Sequence, residues 1–183
     1  KNGKLYASQV FLGDALWELD VSGATAPRLI KKDLGGFNGF EVGTDGWILA
    51  PLWFKGQIVK LNPADGEIKV INSEFKVPAA ANYDSRGNIW AVDTKTGELF
   101  KINPADGKRS KVAQLATGID NLALDTKDNV FVSNMVDNGV QQINPSNGST
   151  RQITKGGMAA PGGLKLSEDG KTLHVAHLFG LRS

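Results

Sequence analysis

One stretch of this sequence is written three times at a constant interval. Asn62-Pro63-Ala64-Asp65-Gly66 returns 41 residues later as Asn103-Pro104-Ala105-Asp106-Gly107, and again, altered, as Asn144-Pro145-Ser146-Asn147-Gly148. A second landmark keeps the same step: Gly46, Gly87 and Asp128, then Gly170 after one extra residue. Between these turn signals lie short runs rich in β-formers, such as Ile89-Trp90-Ala91-Val92. A supersecondary unit of this length that recurs cannot bury its apolar faces alone, so neighbouring copies must stack on one another.

Each repeat reads as four short strands. In the best-preserved copy, residues 80–83 form a first strand and 84–87 a tight turn, followed by strands at 88–92, 98–102 and 108–114. Pro and Gly set the backbone angles of the 103–107 turn. The last strand alternates charged and apolar residues, as a half-exposed outer edge does. The pattern predicts an all-β protein, a β-propeller of four-stranded blades over residues 1–183 as a single domain. Full repeats fall at about 37–78, 79–118 and 119–159, with incomplete blades at 1–36 and 160–183. In the N-terminal part, strands are expected at 4–9, 15–21 and 28–32. In the C-terminal part they are expected at 163–166 and 173–176. About four and a half blades do not close a ring. The expectation is therefore part of a six-bladed ring, completed by other chain segments, with a small closed ring as the alternative.

Composition removes several function classes. The net charge is +2, and the basic clusters Lys31-Lys32 and Lys108-Arg109-Ser110-Lys111 are short, so no nucleic-acid partner is expected. There is no cysteine, which excludes disulfides and thiolate chemistry and leaves the compartment open, whether cytoplasmic, periplasmic or secreted. No apolar run approaches the roughly 18 residues of a membrane span. The chain begins at Lys1 without Met, which leaves room for a removed leader.

Candidate chemistry follows from the columns of the repeat. The first strand of a blade lines the axis, and alignment puts Asn38, Ala79, Asp120 and Gly162 in one column at its mouth. The second strand ends at the same mouth with Leu52, Asp93, Asn134 and His177. Carboxylate and amide oxygens gathered there suit a hard cation such as Ca²⁺. At strand ends, Asp and Asn also satisfy local backbone groups. His174 and His177 are the only histidines, and their spacing puts them on opposite faces of a strand. Trp53, just past the mouth, offers an apolar wall to a ligand, whereas Trp17, Trp47 and Trp90 are expected to pack between blades. Gly156-Gly157-Met158-Ala159-Ala160-Pro161-Gly162-Gly163 leads into a strand and so lacks the helix N-terminus of a phosphate cradle.

The run Gly118-Ile119-Asp120-Asn121-Leu122-Ala123-Leu124-Asp125, followed by Asn129-Val130-Phe131-Val132-Ser133, resembles an inner hairpin of the calcium-dependent six-bladed lactonases. These are the paraoxonases and the senescence-marker-protein, gluconolactonase and luciferin-regenerating-enzyme group. The segment from Pro161 to Lys171 is similar to their recurrent Ser-x-Asp-Gly-Lys hairpin. NHL-repeat proteins and streptogramin lyases share the blade pattern. The resemblance implies a metal-dependent hydrolase of a lactone or small ester. In that reading Asn38, Asp120 and Asn121 hold Ca²⁺ or another divalent cation, His177 and Asp93 serve catalysis, and Asn134 and Trp53 meet a small-molecule substrate. Ala79 and Gly162 depart from the family's ligand column. The alternatives are a non-enzymatic NHL-type binding propeller and a streptogramin-type lyase.

Overall fold

The computed structural model describes residues 3–178. Its strands, in chain order, are β1 (Lys4–Gln9), β2 (Ala15–Asp20), β3 (Arg28–Lys32), β4 (Glu41–Val42), β5 (Ile48–Leu52), β6 (Gln57–Leu61), β7 (Ile68–Asn72), β8 (Pro78–Tyr83) and β9 (Ile89–Asp93). They continue as β10 (Glu98–Ile102), β11 (Arg109–Gln114), β12 (Ile119–Leu124), β13 (Val130–Asn134), β14 (Gly139–Ile143), β15 (Thr150–Thr154), β16 (Pro161–Leu166) and β17 (Leu173–His177). They form three antiparallel four-stranded sheets, flanked by a three-stranded sheet (β1-β2-β3) and a two-stranded sheet (β16-β17). This is a partial β-propeller. The expected strands are all present, shifted by at most two residues at their ends, with one exception in β4. No helix among the described residues is long and apolar enough to cross a membrane.

The core lies between blades. Along β9, Ile89 and Ala91 pack toward the β5–β6 blade, whereas Trp90 and Val92 pack toward the β12–β14 blade. Both faces of a central blade are thus covered, which is why β9 is apolar at every step before Asp93 and buried throughout. Near the axis the blades crowd, and β8 meets this with Ala79, Ala80 and Ala81, all fully buried. Trp90 is the one tryptophan in the deep core. Trp47 lies under Lys69, whose Nζ is 4.2 Å from its ring centroid, and the Trp17 indole N–H donates to Gln9, both tryptophans being half-buried.

The exceptional first strand, β4, has two residues and a single bridge, Phe37 to Leu52, ahead of it. Asn38 N–H donates to Pro51 O (3.2 Å), so that face of Pro51 points toward β4. Proline has no N–H to return, and the ladder is interrupted there. Gly39 O instead accepts from Ala81 of the next blade (3.1 Å).

The repeated turn has a defined tertiary task. In each copy the Asn side chain accepts an N–H two residues on, from Ala64, Ala105 or Ser146. The altered copy keeps its second such bond because Asn147 accepts from Ser149 as Asp65 does from Glu67. The turn then rests on the outer strand of the preceding blade. A Cβ at Gly107 would lie 2.2 Å from Ile71 O, and one at Gly148 would lie 2.1 Å from Val112 O. Gly107→Ala is expected to cost about 2 kcal/mol, from the positive φ plus the displaced blade contact. Gly87→Ala, with nothing within 4 Å, carries the φ cost alone, about 1 kcal/mol. Urea denaturation of the two variants tests the difference.

Candidate functional site at the bulge end of the channel

The three complete inner hairpins share an irregularity that positions the site. The register between first and second strand shifts between Pro78 and Ala80, between Ile119 and Leu122, and between Pro161 and Leu164. A bulge there takes side chains out of the ladder and re-aims them. The residues it releases are Ala79, then Asp120 and Asn121, then Gly162 and Gly163. Opposite each bulge the second strand ends, with Pro78 facing Asp93, Ile119 facing Asn134 and Pro161 facing His177. This end of the inner strands is called the bulge end below, and the opposite one the turn end.

Asp93 and Asn134 are absorbed by their own loops. Asp93 is buried, and its carboxylate accepts backbone N–H groups from Lys76 (2.6 Å), Val77 (3.2 Å), Lys95 (3.1 Å) and Thr96 (3.3 Å). Asn134 does the same work one blade on. It accepts from Val136 and Asp137 and donates to the carbonyls of Ala116 and Thr117. The choice of residue follows from what the loop presents. A carboxylate only accepts, so it suits four N–H groups, while an amide does both. These bonds make both side chains clamps for their own loops, a structural task beside the catalysis expected of Asp93 and the substrate contact expected of Asn134. Asn121 turns its Oδ1 to the neighbouring Leu122 N–H (2.9 Å).

Asp120 is different. No hydrogen bond or ion pair is made by its carboxylate among the described residues, and burial, the sole cause, pushes its carboxyl up to about 6. Beside it, a Cβ built on Gly162 would sit 3.2 Å from Oδ2, so the glycine leaves that flank open. The strand geometry around Asp120 is fixed by Ser133, which is fully buried. Its hydroxyl accepts the bulge N–H of Asn121 (3.1 Å) and donates to Gly162 O in the next blade (2.8 Å). Sequence reasoning passed over Ser133. The available signal was its column, where Pro51, Val92 and Ala176 are the equivalents.

Asn38 lies at the same level two blades earlier, half-buried, with fully buried Ala79 in the blade between. Trp53 packs on the core cluster containing Ala79 and Ile119 and meets Phe11 edge-on at 6.2 Å. His177 is half-buried at the end of β17, while His174 is exposed, in line with opposite faces.

The expected Ca²⁺ would need about six to eight oxygens. Among the described residues, no group of three or more His, Cys, Asp or Glu side chains is placed to hold a metal ion. Of the aligned column only Asn38 and Asp120 carry side-chain oxygens, so these residues by themselves do not fit the ion.

A cleft of about 700 Å³ lies at the turn end and is lined by Glu41, Asp45, Lys60, Tyr83, Asp84 and Asp128, among others. Its acids are engaged. Asp45 pairs with Lys60, Asp128 accepts both the N–H and the hydroxyl of Ser85, and Glu41 accepts Tyr83 N–H (2.7 Å).

No protein-family model matches the sequence, and no curated protein matches it. Solved structures do. A streptogramin B lyase superposes with a TM-score of 0.77 at 18% identity, covering 97% of this chain and 60% of the lyase. The nidogen/laminin complex gives 0.81 at 13% identity, covering 95% of this chain and 70% of the matched one. Catalytically inactive virginiamycin B lyase from Staphylococcus aureus with quinupristin gives 0.70 at 14%, covering 96% and 64%. At these identities the likeness shows the fold. The chain spans about 60% of the streptogramin B lyase it matches.

Proposed function

We propose that the bulge end is a small-molecule site at which Asp120 acts as a general base, in an elimination of the lyase type. The observation that carries this reading is the lone Asp120 carboxyl, released from the ladder by the bulge and raised to about 6 by burial. A base that titrates near working pH is poised to take a proton from carbon. In such a step Asp120 accepts the proton, the C–H electron pair forms a carbon–carbon double bond, and the leaving group, a carboxylate if the substrate is an ester, departs with the electrons of its own bond. His177, at the same end, is the candidate for delivering a proton to the leaving group. The solved lyases of the same fold support the reading, one of them an inactive form with quinupristin.

The calcium-dependent lactonase reading is less well supported, because Ala79 and Gly162 stand where ligands are needed. In it, the ion would need further oxygens beyond those of Asn38, Asp120 and Asn121. An NHL-type binding platform is favoured by a separate observation, the exposed apolar rim of Phe11, Leu12 and Phe54.

The test is mass spectrometry of the full-length protein with linear and cyclic esters, with and without a chelator. Elimination opens a cyclic ester at unchanged mass, and Asp120→Asn is expected to slow it by about 10²-fold or more. A product heavier by one water, formed only before chelation, would restore the metal hydrolase. Turnover unchanged in Asp120→Asn would remove Asp120 from the chemistry.

A further inference from the structure

The blade interfaces are built from one set of positions. Across β5 and β6, the pairs Ile48–Leu61 and Ala50–Val59 pack toward the β1–β3 sheet. Ile89, Ala91, Phe100 and Ile102 pack in the same way toward the β4–β7 blade, and Val130, Val132 and Ile143 toward the β8–β11 blade. Each of these residues is at most 6% exposed.

The same positions recur in the β1–β3 sheet. Leu5 pairs with Leu19 and Ala7 with Trp17, as Ile48 does with Leu61 and Ala50 with Val59. The register shift between β2 and β3 falls just before Trp17, and that between β6 and β7 just before Val59, which fixes the correspondence. Past the shift, Trp17 faces Leu29 as Val59 faces Val70. Tyr6, Leu16 and Ile30, on the other face, pack against the next blade. The face with Leu5 is open. Leu5 is 54% and Leu29 42% exposed, and Ala7, Trp17 and Leu19 are half-buried. Scattered apolar residues need no explanation, but a contiguous set that is buried in every equivalent sheet does. The inner edge of this sheet is open too. Among the described residues β1 pairs with β2 alone, whereas β5, β9 and β13 each have a first strand at that edge. An unpaired edge is a template for one more strand.

We propose that this leading face is a docking surface for a further blade of the ring, supplied by polypeptide outside these 183 residues, which covers Leu5, Trp17, Leu19 and Leu29 while a strand pairs along the free edge of β1. Continuity with the existing interfaces selects this occupant. In each of them the covering sheet brings large apolar side chains, such as Leu16 beside Ile48 or Trp90 and Leu99 beside Val130. The other open end of the chain brings none. The far face of the β16–β17 hairpin carries Lys165 opposite His174, with Gly163 and Ala176, all exposed. Laid on Leu5 and Leu19, it would bury the lysine without a partner. This mismatch counts against a small ring closed by the two ends of the chain, and against two copies joined head to tail. The solved propellers that the chain matches are longer than it is, which agrees with a further blade. The inference goes beyond the reading of Asp120 and does not rest on it. A blade built like these brings mouth residues of its own to the bulge end.

The chain has no cysteine, so single-cysteine variants report one position at a time. In the full-length protein, thiol labelling of Leu5→Cys and Leu29→Cys is expected to be about tenfold or more slower than that of Leu12→Cys, at a loop position that is 88% exposed. Ala7→Cys, the smallest change on the same face, repeats the measurement if a leucine variant fails to fold. The protection is expected to persist on about 100-fold dilution, as it does for a blade of the same chain. Equal rates at all positions overturn the docking surface. Protection that fades on dilution makes the occupant a second copy and overturns the further blade.

Discussion

Asp120→Asn is expected to make the protein more stable at neutral pH while it removes the proposed chemistry. In the folded protein the carboxyl titrates near 6, against an ordinary value of 3.8. The unfolded chain therefore ionises first as pH rises. Between about 4 and 6 the unfolded state has lost its proton and the folded state has kept it, so stability falls across that window and levels off above it. A shift of this size corresponds to an upper bound of about 3 kcal/mol, and partial hydration makes roughly 1–2 kcal/mol the expected gain for Asn. Thermal denaturation at pH 4 and pH 7.5 tests this. The variant should match wild type at the lower pH and exceed it at the higher. A variant less stable at both would mean that the carboxylate has a partner which holds the fold together.

Asp84→Ala carries the opposite expectation and the larger stability effect. Burial by itself pushes this carboxyl up, but hydrogen bonds from Asn88, Lys101 and Trp90 outweigh it and hold it at about 2. Trp90 Nε1 reaches Oδ2 at 3.1 Å, Lys101 Nζ at 3.0 Å and Asn88 Nδ2 at 2.9 Å, while Asn88 N–H reaches Oδ1 at 2.8 Å. Trp90 is fully buried, so without Asp84 its indole N–H has no acceptor. Lys101 still reaches water, which limits the loss. The expected cost is about 3 kcal/mol, read by urea denaturation at neutral pH. Because the folded value is depressed, the contribution is complete above about 4 and disappears as pH falls toward 2. Wild type and variant should converge in acid. Two acids one blade apart thus respond in opposite directions.

Much of the architecture was legible in the sequence. The strands around Trp90 and the Asn-Pro-x-x-Gly turns are set by neighbours two to five residues away, and these are read directly. Gly46, Gly87, Asp128 and Gly170 all take positive φ, as their common place in the repeat implies. The columns at the mouth were legible too, because register follows from the turns. Two things were not. The shortness of β4 comes from which side of Pro51 lacks its N–H, and this depends on strand pairing. The bulges, which decide what each column residue does, leave no mark in a single strand. Asp93 and Asp120 illustrate the consequence. Both are aspartates at the mouth of adjacent blades, in different columns of the repeat, and nothing local to either shows whether its oxygens are occupied.

The repeating blade, its turns and the level at which the mouth residues stand follow from local backbone preferences and a regular period, so the order of residues carries them. Which oxygens are occupied is set by contacts between distant segments. Asp93 accepts from amides 16 and 17 residues before it, Ser133 reaches 29 residues on to Gly162, and Asp120 meets no donor from any strand packed against it. Whether a carboxylate is a clamp or a free base is set by the groups that folding brings to it, and those groups lie far away in the chain.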